Sequence, residues 1–384
     1  MSGKAFVQYY DHINVLIKPT DGCNLRCKYC FHQDFGYNPQ KMSLGILEHF
    51  FSITMPHYRS MTIIWHGGEP TFVGKDCFAR YSGMAIEHAK EHETSLKQSM
   101  QTNGTLLTQS FIDVLKQNNI SLGISYDGPV NDITRNSSKK FLEADSLLRK
   151  NGIEYGTIAV ISGMNVHSLP DLYIHMKELG RDYQMNPFID TSENALQELH
   201  MTATGYLNAM SELYSVWLED KECNIHVDPF MRMIHDCYTG HSSLCARSSC
   251  MRNWFCLNAD GLLSPCDRDF PVRYCYGNVM DYTDIRQLYD SDGYKELISQ
   301  AIRRRALCQS SCDVYPLCEG GCNNNAFYEN GLDQNGGTSC MITKGLLHMI
   351  RDSIEQRQLF SDAPKAGNPV LLNWLKKQQM SEKL

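Results

Sequence analysis

Three cysteines, Cys23, Cys27 and Cys30, stand at CxxxCxxC spacing within Asp-Gly-Cys-Asn-Leu-Arg-Cys-Lys-Tyr-Cys-Phe, residues 21–31. The apolar run at residues 13–17 predicts a strand leading into that loop. Three thiolates on so short a loop can hold three irons of a 4Fe–4S cube and leave the fourth iron without a protein ligand. An open iron can be chelated by the amino and carboxylate groups of a small molecule. A CxxC alone would serve a redox pair or half of a zinc site. A zinc loop or three buried thiols is the plain alternative.

The spacing, the aromatic Tyr29 before the third cysteine and the preceding strand together resemble the signature of the radical SAM superfamily. That resemblance implies S-adenosylmethionine (AdoMet) on the open iron and a 5′-deoxyadenosyl radical as the reactive species, chemistry that belongs to the cofactor.

Strand and helix patterns alternate about six times over residues 15–187, which argues for parallel strands with covering helices. Strands are expected at 61–65, 96–101, 120–125, 155–161 and 183–186. Helices are expected at 43–51 with Ser43 as N-cap, then at 77–91, 110–117, 139–150 and 172–179. Polar and Gly-rich signals follow the strands, where parallel α/β folds place ligands. The fold class read from this is α/β: a partial (β/α)6 TIM-like barrel, as the resemblance also implies, with a doubly wound sheet as the alternative. The expected division is 1–235 for the core domain, 236–345 for a cysteine-rich domain with two auxiliary clusters, and 346–384 for a closing helix at 345–359 and a polar tail.

Gly67-Gly68-Glu69-Pro70 follows the second strand. Glycines there allow close approach to the backbone, and Glu69 can accept from an ammonium; a simple turn is the alternative. In the family this motif binds the AdoMet amino group, so Gly67, Gly68 and Glu69 are assigned to it by resemblance, with Tyr29 beside them. Ser125 and Asp127 are two apart at a strand end, a spacing that points both the same way. They match positions that hold the ribose in related enzymes, although a capped turn at Asp127-Gly128-Pro129 explains Asp127 equally well. Asn103 is expected to line the same cavity, and His66 to face substrate or simply to be hydrogen-bonded.

The C-terminal cysteines, Cys308, Cys312, Cys318, Cys322 and Cys340 after Cys250 and Cys266, closely resemble the SPASM extension of peptide-modifying radical SAM enzymes. The opening pair departs from the usual CxxC by one residue, which lengthens a loop. By resemblance, Cys245, Cys250, Cys266 and Cys322 hold a first auxiliary 4Fe–4S cluster, and Cys308, Cys312, Cys318 and Cys340 a second. Cys256 competes with Cys245, but it falls in an expected strand. Four-cysteine zinc sites are the alternative. In sulfatase-maturing relatives the residue matching Asp267 is the base that takes the substrate proton. The resemblance assigns Asp267 that role, against the alternative of pairing with Arg268.

The net charge of −7, with no basic stripe, excludes an electrostatic case for nucleic acid. Arg303 to Arg305 reads as a solvated helix face. No apolar run reaches membrane-spanning length, and residues 1–11 hold no signal-peptide core. A cytoplasmic setting follows, in which sixteen cysteines point to metal rather than disulfides.

These readings converge on an enzyme that modifies a peptide or protein, with a flavodoxin or ferredoxin as electron donor. One version is a ribosomal-peptide (RiPP) maturase that forms a cross-link; the other is an anaerobic sulfatase maturase that converts Cys or Ser to formylglycine. His32 and His66 stand where sulfatase maturases tend to carry Tyr and Gln, which leans towards cross-linking. Length, the cysteine framework and the Cys266-Asp267 pair favour the sulfatase version, and no leader-binding domain is expected before Cys23. A non-catalytic zinc scaffold would have no use for GGEP or for Ser125 and Asp127.

Overall fold

The computed structural model describes residues 11–31, 39–190, 196–244, 250–268 and 270–381. Along the chain the strands are β1 (His12–Ile17), β2 (Ser60–Trp65), β3 (Ser95–Thr102), β4 (Ile120–Ser125), β5 (Tyr155–Ile161), β6 (Tyr183–Pro187), β7 (Val227–Asp228), β8 (Trp254–Leu257), β9 (Leu262–Ser264) and β10 (Gly277–Asn278). Helices separate the first six, so the expected βα alternation is present and the fold class is α/β. Two compact units divide the chain.

The first unit comprises Met1–Ser125, Ser137–Tyr155 and Ser249–Arg303. In it β8, β1, β2, β3 and β4 lie parallel in that order. Antiparallel β9 and β10 extend the β8 edge. Alternation decides the faces. Ile13, Val15 and Ile17 of β1 and Met61, Ile63 and Trp65 of β2 are fully buried. Trp65 meets the ring of Phe78 edge-on at 5.5 Å, from the helix Lys75–Glu91. The other face is only partly covered and ends in the loops that carry the motifs. Ser43 caps the helix Leu44–Thr54 as expected, its hydroxyl accepting from Ile46 N at 3.2 Å.

The 235/236 division follows composition, whereas the hydrogen bonding runs through it. β8 pairs with β1 from Asn14↔Trp254 to Ile17↔Leu257. A segment from the cysteine-rich half thereby becomes a strand of the N-terminal sheet.

The second unit comprises Tyr126–Asn136, Gly156–Ser248 and Arg304–Leu384. Its strands β5, β6 and β7 are parallel. The closing helix is Thr338–Gln356, longer than expected and containing Cys340. The polar tail is instead a packed helix, Pro369–Ser381, with Leu371 and Leu375 buried and Trp374 against Tyr238 at 5.7 Å. Its apolar residues recur at 371 and 375, the one-turn spacing that gives a helix a buried stripe.

A second correction concerns Arg304, which is 1% exposed rather than solvated. Its guanidinium donates to Gly320 O (3.0 Å), Leu332 O (2.6 Å) and Asn323 Oδ1 (2.5 Å). The irregular backbone around Cys318 and Cys322 has carbonyls that no helix satisfies, and one buried arginine supplies their donors. Replacing it with methionine strands several acceptors, a cost on the order of 3 kcal/mol. Arg304→Met is expected to lower the unfolding midpoint and to remove about four irons per chain from a cluster-loaded preparation. An unchanged iron count would separate Arg304 from the cysteine loop.

Candidate active site

The loop after β1 is fastened to the loop after β2. Gly68 N donates to Thr20 O (3.1 Å) and Glu69 N to Gly22 O (2.8 Å). No side chain fits at Gly68: a Cβ would lie 2.3 Å from Gly22 O and 2.5 Å from Asp21 O. At Gly67 the backbone has φ +112°, a conformation that glycine adopts freely. Both glycines are thus required for docking the cysteine loop, before any ligand is considered. Gly68→Ala is expected to weaken AdoMet binding at least about tenfold, equivalent to about 1.4 kcal/mol. Equilibrium dialysis with labelled AdoMet reads this directly, and wild-type affinity would reject the docking role.

Glu69 is 1% exposed, and its carboxylate is heavily used. Oε1 accepts from Thr71 N (3.1 Å), Thr71 Oγ1 (2.5 Å) and Thr102 Oγ1 (2.6 Å), while Oε2 accepts from Asn103 N (2.7 Å). Its observed work is to tie the loop after β2 to the end of β3, and any ammonium would have to share Oε2.

Cys23, Cys27 and Cys30 are all partly exposed. Leu25 N donates to Cys23 Sγ (3.4 Å) and Asn103 Nδ2 approaches it at 3.8 Å. Cys30 N donates to Cys27 O at 3.1 Å in the turn that contains the half-buried Tyr29. Donors aimed at a sulfur favour its thiolate and tune an iron–sulfur cluster, so the donor set fits a cube. Asn103 also donates to Asn24 Oδ1 at 3.0 Å, which places it at this loop.

Ser125, the last residue of β4, is half-buried and accepts from Gln101 Nε2 at 2.9 Å. Asp127 behaves differently from the expectation of a parallel-pointing pair. Its backbone has already turned, with φ −97° and ψ 16°, so strand alternation does not apply to it. It is 1% exposed, and its carboxylate accepts from Thr134 Oγ1 (2.6 Å) and Val160 N (2.9 Å). Neither contact is a cap of the Asp127-Gly128-Pro129 turn: one partner lies seven residues on and the other on β5.

Asp267 is 17% exposed in its side chain and lies between two partners. The Cys266 thiol donates to Oδ1 at 3.0 Å, and His66 Nδ1 is 3.5 Å from Oδ2. Burial alone would raise this carboxyl. His66, the Cys266 thiol, Lys18 and Arg268 together bring it below the ordinary carboxylate value. The group is therefore ionised at neutral pH and able to accept a proton.

Burial raises the hydroxyl of Tyr276, a fully buried tyrosine, and the charges of Cys250 and Cys266 raise it further. Cys256 is wholly buried on β8, and burial pushes its thiol up to about 12. Its place inside a strand paired with β1 sets it apart from its rival. That rival, Cys245, and the substrate-side candidate His32 lie outside the described residues. Cys308, Cys312, Cys318, Cys322 and Cys340 line one cavity of the second unit. Burial raises the Cys308 thiol, and the neighbouring thiols of Cys340, Cys318 and Cys312 raise it further. Thiols that penalise one another's ionisation in this way are relieved by a shared cation, so this donor set also fits a metal cluster.

Lys18 escaped the sequence reading. It is 6% exposed, its stem lies beneath Gly67, and its charge acts on Asp267, Cys256 and Cys275. The available signal was its place one residue beyond β1, at the strand end where the ligand loops gather.

Residues 17–175 match the family model of the radical SAM superfamily. The chain is 25% identical over 332 residues to a cysteine-type anaerobic sulfatase-maturating enzyme of Clostridium perfringens, covering 81% of this chain and 88% of that protein. It is 23% identical over 363 residues to a serine-type anaerobic sulfatase-maturating enzyme of Bacteroides thetaiotaomicron, covering 85% and 86%. Among solved structures, native anSMEcpe with bound AdoMet and Kp18Cys peptide superposes with a TM-score of 0.80 at 23% identity, over 90% of this chain and 98% of that one. No helix among the described residues is long and apolar enough to cross a membrane.

Proposed function

We propose that the protein, whose residues 17–175 match the radical SAM family model, is a radical SAM oxidoreductase that removes two electrons from a side chain of a peptide or protein. The observation that carries this reading is Asp267, an ionised carboxylate held between Cys266 and His66. Cys23, Cys27 and Cys30 would hold the AdoMet-binding cluster. Cys245, Cys250, Cys266 and Cys322 would hold one auxiliary cluster, and Cys308, Cys312, Cys318 and Cys340 the other. Once bound, these groups supply a 5′-deoxyadenosyl radical that takes a hydrogen atom from substrate, and an acceptor for the second electron.

The remaining work belongs to the chain. Gly67, Gly68 and Glu69 would hold the loop against which the AdoMet amino acid end binds, and Ser125 with Asp127 would accept from its ribose. Asp267 receives the substrate proton. Cys266 Sγ lies 3.0 Å from Asp267 Oδ1, so the base sits directly beside a residue that would hold the auxiliary cluster. His66 faces the other carboxylate oxygen and keeps it oriented.

The anaerobic sulfatase-maturating relatives support formylglycine formation from Cys or Ser. Cross-linking of a ribosomal peptide is the second reading, supported by His66 where those enzymes tend to carry Gln. Both need one hydrogen atom, one proton and one electron removed. A low-potential flavodoxin or ferredoxin is proposed as electron donor, in the cytoplasm. The test is the mass of peptides after anaerobic incubation with cluster-loaded enzyme, AdoMet and reductant. A sulfatase-type peptide that acquires an aldehyde supports the first reading. A peptide encoded beside the gene that loses two hydrogens supports the second. Deoxyadenosine with neither peptide altered rejects both substrates.

A further inference from the structure

The last turn of the helix Lys75–Glu91 and the residue that follows it carry three side chains of metal-ligand type that face one another. One ligand atom each from His88, Glu91 and His92 lie within 4.8 Å of the other two. Their i, i+3, i+4 spacing puts them on one face of the last turn. That turn also bears the partial negative end of the helix dipole, which favours a cation.

His88 provides an independent observation. Its side chain is 9% exposed, and Nε2 lies 3.2 Å from Glu48 Oε1 on the helix Leu44–Thr54. The Phe51 ring covers it at 5.8 Å. Nδ1 is buried and has no hydrogen-bond partner. A buried imidazole nitrogen without a partner costs free energy in an ordinary core. The same arrangement is the rule in metal sites, where a histidine donates one ring N–H to a carboxylate and presents its other nitrogen to the ion. Glu48 supplies that carboxylate. The His92 ring lies nearly parallel to that of His88, 6.2 Å away, and Glu91 is exposed.

We propose that His88, Glu91 and His92 form a zinc-binding site, oriented by Glu48 and separate from the cysteine centres. Two imidazoles and one carboxylate, with a position left for water, are a donor set that Zn2+ accepts. The ion would pin the last turn of the helix Lys75–Glu91 to the helix Leu44–Thr54 through His88 and Glu48. The helix so fixed is the one that follows the Gly67–Pro70 loop in the chain.

The test uses cluster-loaded enzyme, so that the cysteines are occupied by iron, cleared of loose metal with a chelator. Zinc is then titrated against a chromophoric competitor, with wild type, His92→Ala and Glu91→Gln in parallel. Both substituted residues are at least partly exposed and outside the cysteine centres. Wild type is expected to take up about one zinc per chain, with its unfolding midpoint rising on zinc addition. His92→Ala should bind at least about tenfold more weakly and lose the midpoint shift, with iron content and deoxyadenosine formation unchanged. Glu91→Gln should weaken binding in the same direction. Equal zinc affinity in all three proteins, or no zinc uptake by wild type, would overturn the proposal.

Discussion

Asp267→Asn is expected to abolish peptide oxidation almost completely while the enzyme continues to cleave AdoMet. Asparagine keeps the shape of the carboxylate and can still accept a hydrogen bond, but it cannot take the substrate proton. Removal of a positioned general base typically costs about 10²- to 10⁴-fold in rate. The diagnostic is the ratio of deoxyadenosine to product. On the proposed assignment radical generation depends on the loop of Cys23, Cys27 and Cys30 and not on Asp267, so deoxyadenosine should persist as product disappears. The pH dependence follows from the direction of the shift. Asp267 is held below the ordinary carboxylate value, so its base form is fully present at neutral pH. Activity is lost only as the pH falls through that lowered value. Product formation should therefore show no limb from this group between about pH 6 and 8. A variant with wild-type product yield would remove Asp267 from the mechanism.

Cys27→Ala should have the larger effect on the radical itself. With one of three thiolates missing, the cluster that binds AdoMet is not held, and deoxyadenosine should fall to background. On the proposed assignment, in which two auxiliary clusters use other cysteines, iron should drop by about four per chain, from about twelve to about eight. This pattern separates a cluster ligand from a merely structural thiol. Loss of all iron would mean that the chain no longer folds, and Cys23→Ser and Cys30→Ser then provide the same test with smaller changes. Retention of all iron would contradict the assignment of the loop.

Much of this was legible in the sequence because period and punctuation agreed. β1 to β6 alternate or run apolar, and polar turns follow them, so strand positions and the ligand end of the sheet could both be read. The motif glycines were readable too, although their immediate reason is steric: the carbonyls of Asp21 and Gly22 leave no room at Gly68. What the sequence hid depends on contacts between distant segments. Arg304 looks like its exposed neighbour Arg303 until the carbonyls of Gly320 and Leu332 come to meet it. Glu69 reads from the sequence as a ligand group alone, and only the fold shows that Thr102 and Asn103, more than thirty positions away, also donate to it. Asp127 fails as a strand residue because the turn begins one position earlier than alternation assumes. Residues 253–258 read as a strand from the sequence, but nothing local says that the partner of β8 is β1.

The most direct measurement of the central claim follows a hydrogen atom. Cluster-loaded enzyme, AdoMet and reductant are incubated anaerobically with a sulfatase-type peptide deuterated at Cβ of its target Cys or Ser, and, in parallel, with a neighbouring-gene peptide deuterated at every Cβ. The account predicts deoxyadenosine that gains one deuterium for each oxidised peptide formed. Oxidised peptide accompanied only by unlabelled deoxyadenosine, or formed without AdoMet, would contradict it.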